Sequence, residues 1–297
     1  GTLPNGGGFV MLIGADGRYA DHVDYDDDWP WMSKADGGGR PHLPGFSLER
    51  LCMDAGPEDI ANWTPSAPSG PTPGAANAAS GCDLPPTVVD LDVEPRLVLP
   101  TDMPVITATL NHAEATDAVE LSWFIDDPEV TGEPIETIVM SALPAKDGEA
   151  TSEWTATMPP LPANSIVRYA ITVDRSGVQQ SITPDPDRDE FAWHGYFVDP
   201  LVSSQHPVYH LFISSQDWAS LHTFTAPGRV SGNTANPNWN NEVSATFVAD
   251  GVVHDVMVRH QGSRWNRTGG STIFFPCESH QPGQAQVRSW RIDFPSY

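Results

Sequence analysis

Apolar and polar residues alternate in short runs along most of the chain, and turn-forming residues separate the runs. The alternation is clearest in Val243–Val248 and Val252–Arg259, which are rich in β-branched residues and flank Ala249-Asp250-Gly251. Period-two alternation is typical of β-strands with one buried face. Asp-Gly between two such runs predicts a hairpin, because Gly accepts the positive φ that a tight turn requires.

The central part of the chain has the same pattern, with turn clusters at the spacing of an all-β sandwich. Trp123 and Trp154 are predicted to lie in its core, since a strand Trp flanked by apolar residues is more often buried than part of a carbohydrate-binding surface. The predicted strands are Thr87–Val93, Val105–Leu110, Ala118–Ile125, Pro134–Ser141, Ser152–Thr157, Ile166–Val173, Gln179–Thr183 and Phe191–Phe197.

The two ends of the chain extend the β pattern. Near the N-terminus, Phe9–Ile13 and His22–Tyr25 flank a second Asp-Gly turn. In the last third, Pro207–Ile213 is an apolar strand. Ser214 is placed to cap a helix that runs through Leu221, with an acidic residue in its first turn. We therefore expect a mainly β fold.

The charge of the chain excludes one class of function. Its 297 residues carry 39 Asp and Glu against 15 Lys and Arg, a formal net charge of −24. So acidic a surface repels nucleic acid and anionic membranes and favours cation binding, although halophilic adaptation would produce the same balance. DNA binding is excluded, because it needs a basic stripe. No run approaches 18 apolar residues, so no transmembrane segment is predicted.

The three cysteines, Cys52, Cys82 and Cys277, show no zinc-site spacing. Cys52 and Cys82 bracket one module, and we predict a disulfide between them; the alternative is two buried thiols in a cytosolic protein. The modular β architecture favours an oxidising compartment, and therefore an extracellular or cell-surface location. No metal site, Ser/His/Asp set or HExxH motif is predicted.

Residues 1–81 contain several motifs that occur together in a known family. The motifs are Phe9–Tyr25 with its Asp-Gly turn, Ser47-Leu48-Glu49-Arg50, Asn62-Trp63-Thr64-Pro65-Ser66 and Thr72-Pro73-Gly74-Ala75-Ala76-Asn77. They resemble the C-terminal two thirds of a lamin-tail domain of bacterial secreted proteins. The resemblance implies a small Ig-like β-sandwich, truncated at its N-terminus, that serves attachment or interaction. Its missing first strands would leave a sheet edge exposed.

Residues 82–200 form the second predicted domain. Val167–Val173, followed by Asp174-Arg175-Ser176-Gly177, resembles the penultimate strand of an Ig or fibronectin type III sandwich. This resemblance implies a second Ig-like module, which would act as a spacer.

In residues 201–297 several motifs follow one another in a set order: Pro207-Val208-Tyr209-His210-Leu211-Phe212-Ile213-Ser214, a helix, the hairpin, Arg259-x-x-Gly262-Ser263-x-x-Asn266-Arg267 and Ser289-Trp290-Arg291-Ile292-Asp293-Phe294. In this order they resemble the start of a CotH-type domain, the spore-coat-protein-H-like family of secreted atypical kinases. The resemblance implies an incomplete α+β kinase-like N-terminal lobe. The catalytic and metal-binding acidic residues would then lie beyond Tyr297, so this chain alone would be inactive.

The candidate binding site lies where the hairpin ends. A Gly turn between two arginines exposes backbone N–H groups beside fixed positive charge, which suits a phosphate or carboxylate. From the residues alone, a hairpin with solvated arginines is the alternative. The CotH resemblance implies ATP and Mg²⁺ for the parent domain, with an arginine replacing the lysine of the family motif. The tentative nucleotide-binding residues are Arg259, Gly262, Ser263, Arg264, Arg288 and Arg291.

A different function is compatible with the same residues. The last module would then be a non-catalytic scaffold in a surface adhesion protein that binds a carbohydrate or a protein. In both cases the expected partner is a protein or a component of the cell surface or extracellular matrix.

Overall fold

The structure is a computed structural model that describes residues 7–26, 29–31, 47–66, 70, 72–77, 80–144, 151–176, 179–184, 193–225, 241–260 and 290–294. This part of the chain is mainly β, with strands paired in antiparallel sheets. The prediction of a mainly β, sandwich-like fold is confirmed. None of the described helices has the length and apolarity that a membrane span requires.

The elements follow one another in a simple order. The strands are β1 (Gly8–Ile13), β2 (Tyr19–Tyr25), β3 (Leu48–Arg50), β4 (Trp63–Pro65), β5 (Thr87–Glu94), β6 (Val105–Asn111), β7 (Ala118–Asp126), β8 (Glu136–Val139), β9 (Ser141–Ala142), β10 (Thr151–Thr157), β11 (Ile166–Arg175), β12 (Gln179–Thr183), β13 (His194–Phe197), β14 (Tyr209–Phe212), β15 (Val243–Ala249), β16 (Val252–His260) and β17 (Trp290–Asp293). A 3-10 helix spans Ile60–Asn62, and helix α1 spans Ser215–Thr225.

The chain divides into two compact units. The first comprises Gly1–Ile125 and Pro134–Pro200, and the second comprises Asp126–Glu133 and Leu201–Ser296. The first unit thus holds most of the two segments predicted as separate domains, 1–81 and 82–200. The boundary between those domains stays a prediction.

Two sheets of the first unit contribute to one hydrophobic core. The first sheet has the order β5-β6-β10-β9, and the second contains β13-β11-β7-β8 with β12 beside β11. Strand β6 shows how the alternation works, because Ile106, Ala108 and Leu110 are buried and the residues between them are not. Trp123 and Trp154 are 5% and 6% exposed within this core, as predicted.

The predicted strand Pro134–Ser141 is wrong in one respect, because the chain changes sheets within it. Strand β8 pairs with β7 in one sheet, whereas β9 pairs with β10 in the other. Met140, between them, is 3% exposed and donates its backbone N–H to the Val119 carbonyl at 2.8 Å. The buried Met140 side chain thus lies where the run 134–141 passes from one sheet to the other.

A buried ion pair closes one end of the sandwich. Arg175, at the end of β11, binds both carboxylate oxygens of Asp117, at 3.1 and 3.2 Å. The Asp117 side chain has no exposed surface, and its carboxylate also accepts the Glu114 backbone N–H at 2.8 Å. Arg175 further donates to the carbonyls of Leu84 and His112. The guanidinium therefore ties three segments together.

A disulfide and a buried amide organise the segment before the sandwich. The structure joins Cys52 to Cys82, the pair predicted from the sequence. The Asn62 side chain is fully buried; its oxygen accepts the Cys52 N–H at 2.7 Å and its nitrogen donates to the Cys52 carbonyl at 2.9 Å. The Asn62 amide thus takes the place of a backbone hydrogen-bonding partner for both polar groups of the Cys52 main chain.

The second unit is built on an antiparallel arrangement in the order β14-β15-β16, with β17 on the other side of β16. Helix α1 is capped by Ser214, whose hydroxyl accepts the Asp217 N–H at 3.0 Å and donates to the Asp217 carboxylate. The helix begins where the sequence predicts but extends four residues past Leu221 to Thr225. Leu221, Val243, Val256 and Val258 form the core of this unit.

Replacing both Cys52 and Cys82 with Ala should lower the free energy of unfolding by about 3–4 kcal/mol, because the disulfide closes a long loop in the unfolded chain. Urea denaturation measures the difference. A reductant serves as the control: it should destabilise the natural protein and leave the double variant unchanged. Superimposable denaturation curves for the two proteins would contradict the prediction.

Arg175→Met should lower the free energy of unfolding by roughly 3–5 kcal/mol, because it leaves the Asp117 carboxylate buried without its counter-ion. Adding Asp117→Asn to that variant should recover part of the loss, and a double-mutant cycle gives the coupling. The matched control is Arg18→Met, since the Arg18 side chain is 87% exposed. Additive effects of the two core substitutions would show that the pair is not coupled.

Candidate functional site

The candidate site begins with the register of the β15–β16 hairpin. Ala249 pairs with Val252, so the turn consists of Asp250 and Gly251 alone. Both turn residues have positive φ, 51° and 80°, the backbone conformation of the tight hairpin turn that Asp-Gly favours. A two-residue turn fixes every later pairing of the two strands.

That register divides the sheet into an inner and an outer face. Val258 on β16 pairs with Val243 on β15 and with Ile292 on β17, and all three belong to the core. Successive strand residues point to opposite faces. Arg259, the next residue on β16, therefore lies on the outer face opposite its partner Arg291.

The Arg259 guanidinium is already engaged. Its Nε donates to Glu242 Oε1 at 3.0 Å, and the two side chains are 13% and 27% exposed. Glu242 precedes Val243, so the hairpin register itself brings it beside Arg259. This partner was missed in the sequence analysis, although the Asp-Gly turn and the strand register that it sets predict the encounter.

Arg291 has a carboxylate partner on its own strand. Its Nε donates to Asp293 Oδ1 at 2.7 Å, two residues along β17. The hydrogen bond from Arg291 is the largest cause that lowers the pKa of the Asp293 carboxyl. A side-chain hydrogen bond with Glu242 and the positive charge of Arg259 lower it further. The contribution of this pair to stability is present at neutral pH and is lost as the pH falls through the lowered pKa. It is small, because solvent screens a pair whose side chains are 51% and 33% exposed.

These four side chains form a cluster, here called the arginine cluster, of Glu242, Arg259, Arg291 and Asp293. Two guanidinium groups on neighbouring strands can bind one phosphate or carboxylate through parallel N–H donors. The two carboxylates balance their charge, so the cluster as a whole is neutral. An anion would have to share the guanidinium groups with Glu242 and Asp293 or displace those carboxylates.

The structure describes only part of the predicted nucleotide site. Arg259 and Arg291 are brought together in register on adjacent strands. The other predicted residues, Gly262, Ser263, Arg264 and Arg288, lie outside the described residues, as does Cys277.

Replacing Arg291 with Gln should raise the pKa of the Asp293 carboxyl towards its ordinary value, since the largest cause of its depression is lost. Carboxyl carbon NMR over an acid titration reports this pKa directly. Arg18→Gln, a change at an exposed arginine elsewhere, is the control and should leave Asp293 unaffected. An identical Asp293 titration in Arg291→Gln would show that the pair does not form in solution.

Comparison with known proteins yields no family for the chain. No family model matches it, and no curated protein matches its sequence. Among solved structures it is similar to an uncharacterized protein from Listeria monocytogenes EGD-e and to the cycloalternan-forming enzyme of Listeria monocytogenes, each at 10% identity, a TM-score of 0.29 and 56% coverage of this chain. The chain covers 17% of the first protein and 18% of the second. Likeness at this level assigns neither family nor function.

Proposed function

We propose that the chain is part of an extracellular or cell-surface protein whose last module is the N-terminal part of a CotH-type kinase domain. In this proposal the parent protein transfers phosphoryl groups with ATP and Mg²⁺. The observation that carries it is the opposed pair of arginines, Arg259 on β16 and Arg291 on β17, on the outer face of the sheet.

The order of elements supports the proposal. Strand β14, helix α1, the β15–β16 hairpin and β17 follow one another as the resemblance implies, and the hairpin register places Arg259 against Arg291. In phosphoryl transfer the protein mainly positions the reacting groups and stabilises the phosphate charge with cationic side chains. Two guanidinium groups on rigid neighbouring strands offer such a clamp for nucleotide phosphates.

Charge balance sets a condition on this function. Glu242 and Asp293 neutralise the two arginines, so phosphate binding needs further positive charge. Mg²⁺ on the nucleotide would supply part of it, and Arg264 and Arg288, which lie near Arg259 and Arg291 in the sequence, would supply the rest. The carboxylates would then hold the guanidinium groups in place until the nucleotide arrives.

The modules before the last one would serve attachment or spacing, with a protein or a cell-surface or matrix component as the partner. The competing function is a surface adhesion protein without catalysis. Its supporting observation is the same arginine cluster, since a pair of arginines already bound by carboxylates is equally a structural element of a sheet.

Mg-ATP binding to the natural protein that contains this sequence separates the two functions. Isothermal titration calorimetry should show saturable binding, and Arg259→Ala should weaken it at least tenfold. A tenfold loss corresponds to about 1.4 kcal/mol, close to the lower limit of the range of about 1.5–3 kcal/mol for a charged hydrogen bond.

The control is Arg18→Ala, which removes an exposed arginine distant in sequence and should leave the affinity unchanged. Absence of Mg-ATP binding would favour the adhesion function. Binding that Arg259→Ala does not weaken would overturn the assignment of the arginine cluster to the nucleotide.

A further inference from the structure

A second group of side chains, in the first unit, offers ligands of a different kind. His22 and Asp24 on β2 and Glu58 on the loop after the disulfide cysteine Cys52 each offer one ligand atom, and these atoms all lie within 4.8 Å of one another. We propose that they bind a divalent transition-metal ion, with Zn²⁺ as the best match. This metal triad (His22, Asp24 and Glu58) is independent of the proposed kinase function.

The strand supplies two of the three ligands. His22 and Asp24 are two residues apart on β2, so their side chains point to the same face. They stand opposite Met11 and Phe9 of β1 in an unbroken part of the register. A regular strand holds such a pair at a fixed separation, which preorganises two metal ligands before the ion arrives.

The third ligand comes from a loop that is held at several points. The Trp63 indole donates to the Pro57 carbonyl at 2.8 Å, directly before Glu58. The buried Asn62 amide donates to the Gly56 carbonyl at 3.2 Å. These bonds fix the backbone on which Glu58 stands, and the loop follows a cysteine that is locked in a disulfide.

An arginine clamps this loop to the strand. Arg50 donates to the Asp21 carboxylate of β2 at 2.7 Å and to the carbonyls of Met53 and Ala55. Its side chain is only 11% exposed. Arg50 therefore holds the loop that carries Glu58 beside β2. One Glu58 carboxylate oxygen lies 3.0 Å from His22 Nε2, and the other accepts the Asp24 backbone N–H at 3.4 Å.

The distances suit a small cation after modest side-chain movement. Ligands about 2.0–2.2 Å from Zn²⁺ in a tetrahedron lie roughly 3.4 Å apart. His22 and Glu58 already meet at 3.0 Å. The side chains of Asp24 and Glu58 are exposed, so rotation can bring both carboxylates to the ion.

The donor types select the class of metal. One imidazole nitrogen and two carboxylates suit Zn²⁺ and related first-row ions, whereas Ca²⁺ and Mg²⁺ prefer oxygen ligands alone. When the imidazole is neutral, the two carboxylates give the triad a local negative charge, which attracts a cation. Three protein ligands leave a coordination position open to water.

A tyrosine orients the imidazole, as the residue behind a metal-binding histidine usually does. The Tyr19 hydroxyl is hydrogen-bonded to His22 Nδ1, and the two rings meet edge to face with centroids 5.3 Å apart. Without an ion, His22 Nε2 donates to the Glu58 carboxylate at 3.0 Å. With a metal bound, the Tyr19 oxygen would accept from Nδ1–H, which leaves the Nε2 lone pair for the ion.

An irregularity in the hairpin makes this contact possible. Leu12 pairs with Asp21, but Ile13 pairs with Tyr19, so Ala20 is an extra residue on β2. Such a bulge changes the phase of the side chains. Residues three apart on a regular strand point to opposite faces. The bulge brings Tyr19 to the same face of β2 as His22.

Titration with Zn²⁺, and with Co²⁺ as a spectroscopic probe, tests the proposal on the full chain. We expect one saturable site, with Co²⁺ absorption bands typical of imidazole and carboxylate ligation. His22→Gln and Glu58→Gln should each weaken Zn²⁺ binding at least tenfold, and Tyr19→Phe should weaken it by a smaller factor. Thermal denaturation without metal checks that each variant is folded.

Two matched controls guard against adventitious binding to an acidic chain. His206→Gln changes another exposed histidine, and Asp16→Asn another exposed carboxylate; both should leave the affinity and the Co²⁺ spectrum unchanged. If His22→Gln and Glu58→Gln bind Zn²⁺ as the natural chain does, or if His206→Gln weakens binding equally, the proposed site is wrong.

Discussion

The first unit depends on the buried pair between Arg175 and Asp117. Asp117 has no exposed side-chain surface, so its charge is stable only while the guanidinium remains beside it. The same guanidinium holds the carbonyls of Leu84 and His112, and His112 Nε2 in turn contacts Asp59 at 2.5 Å. These polar contacts connect the sandwich to the disulfide-bonded segment, in whose described part Cys52, Ala61 and Leu84 form a buried cluster with Leu51 and Ala55 packed against it.

Because acidic residues outnumber basic ones, the two proposed sites differ in net charge before any ligand binds. In a chain with 39 acidic and 15 basic residues, arginines readily meet carboxylates, as Arg50, Arg175, Arg259 and Arg291 all do. The arginine cluster is therefore neutral before any anion binds, and a nucleotide must bring or recruit positive charge. The metal triad has the charge sign that the whole chain shares, and a cation that binds there replaces the contacts that Glu58 makes with His22 and with the Asp24 backbone N–H.

The two proposed sites also differ in the structural features that position their side chains. The arginine cluster depends on strand pairing alone, because a two-residue turn and an in-register third strand place all four side chains. The metal triad depends on a disulfide and an arginine clamp that hold the Glu58 loop, and on a bulge in β2 that places Tyr19 beside His22. Sites of the second kind are sensitive to changes at residues that never touch the ligand, Arg50 and Asn62 among them.

Much of the secondary structure follows from local sequence. Alternation in the β6 and β11 segments, Asp-Gly at 250–251 and Ser214 before Asp217 each act over a few residues, so the strands, the turn and the helix start could be predicted from the sequence. The run 134–141 shows the limit. Its residues indicate a strand, but the choice of neighbour on either side of Met140 is made by sheets assembled from distant segments.

The sequence by itself determined the mainly β class, the candidate disulfide and the position of Arg259 at the end of a hairpin strand. Only the tertiary structure decided that Arg175 reaches the buried Asp117 and that Glu58 meets His22. The physical reason is distance along the chain. Period-two alternation and turn preferences are local properties of the backbone, whereas the approach of His22 and Glu58 is set by packing, a disulfide and an ion pair formed after the elements assemble.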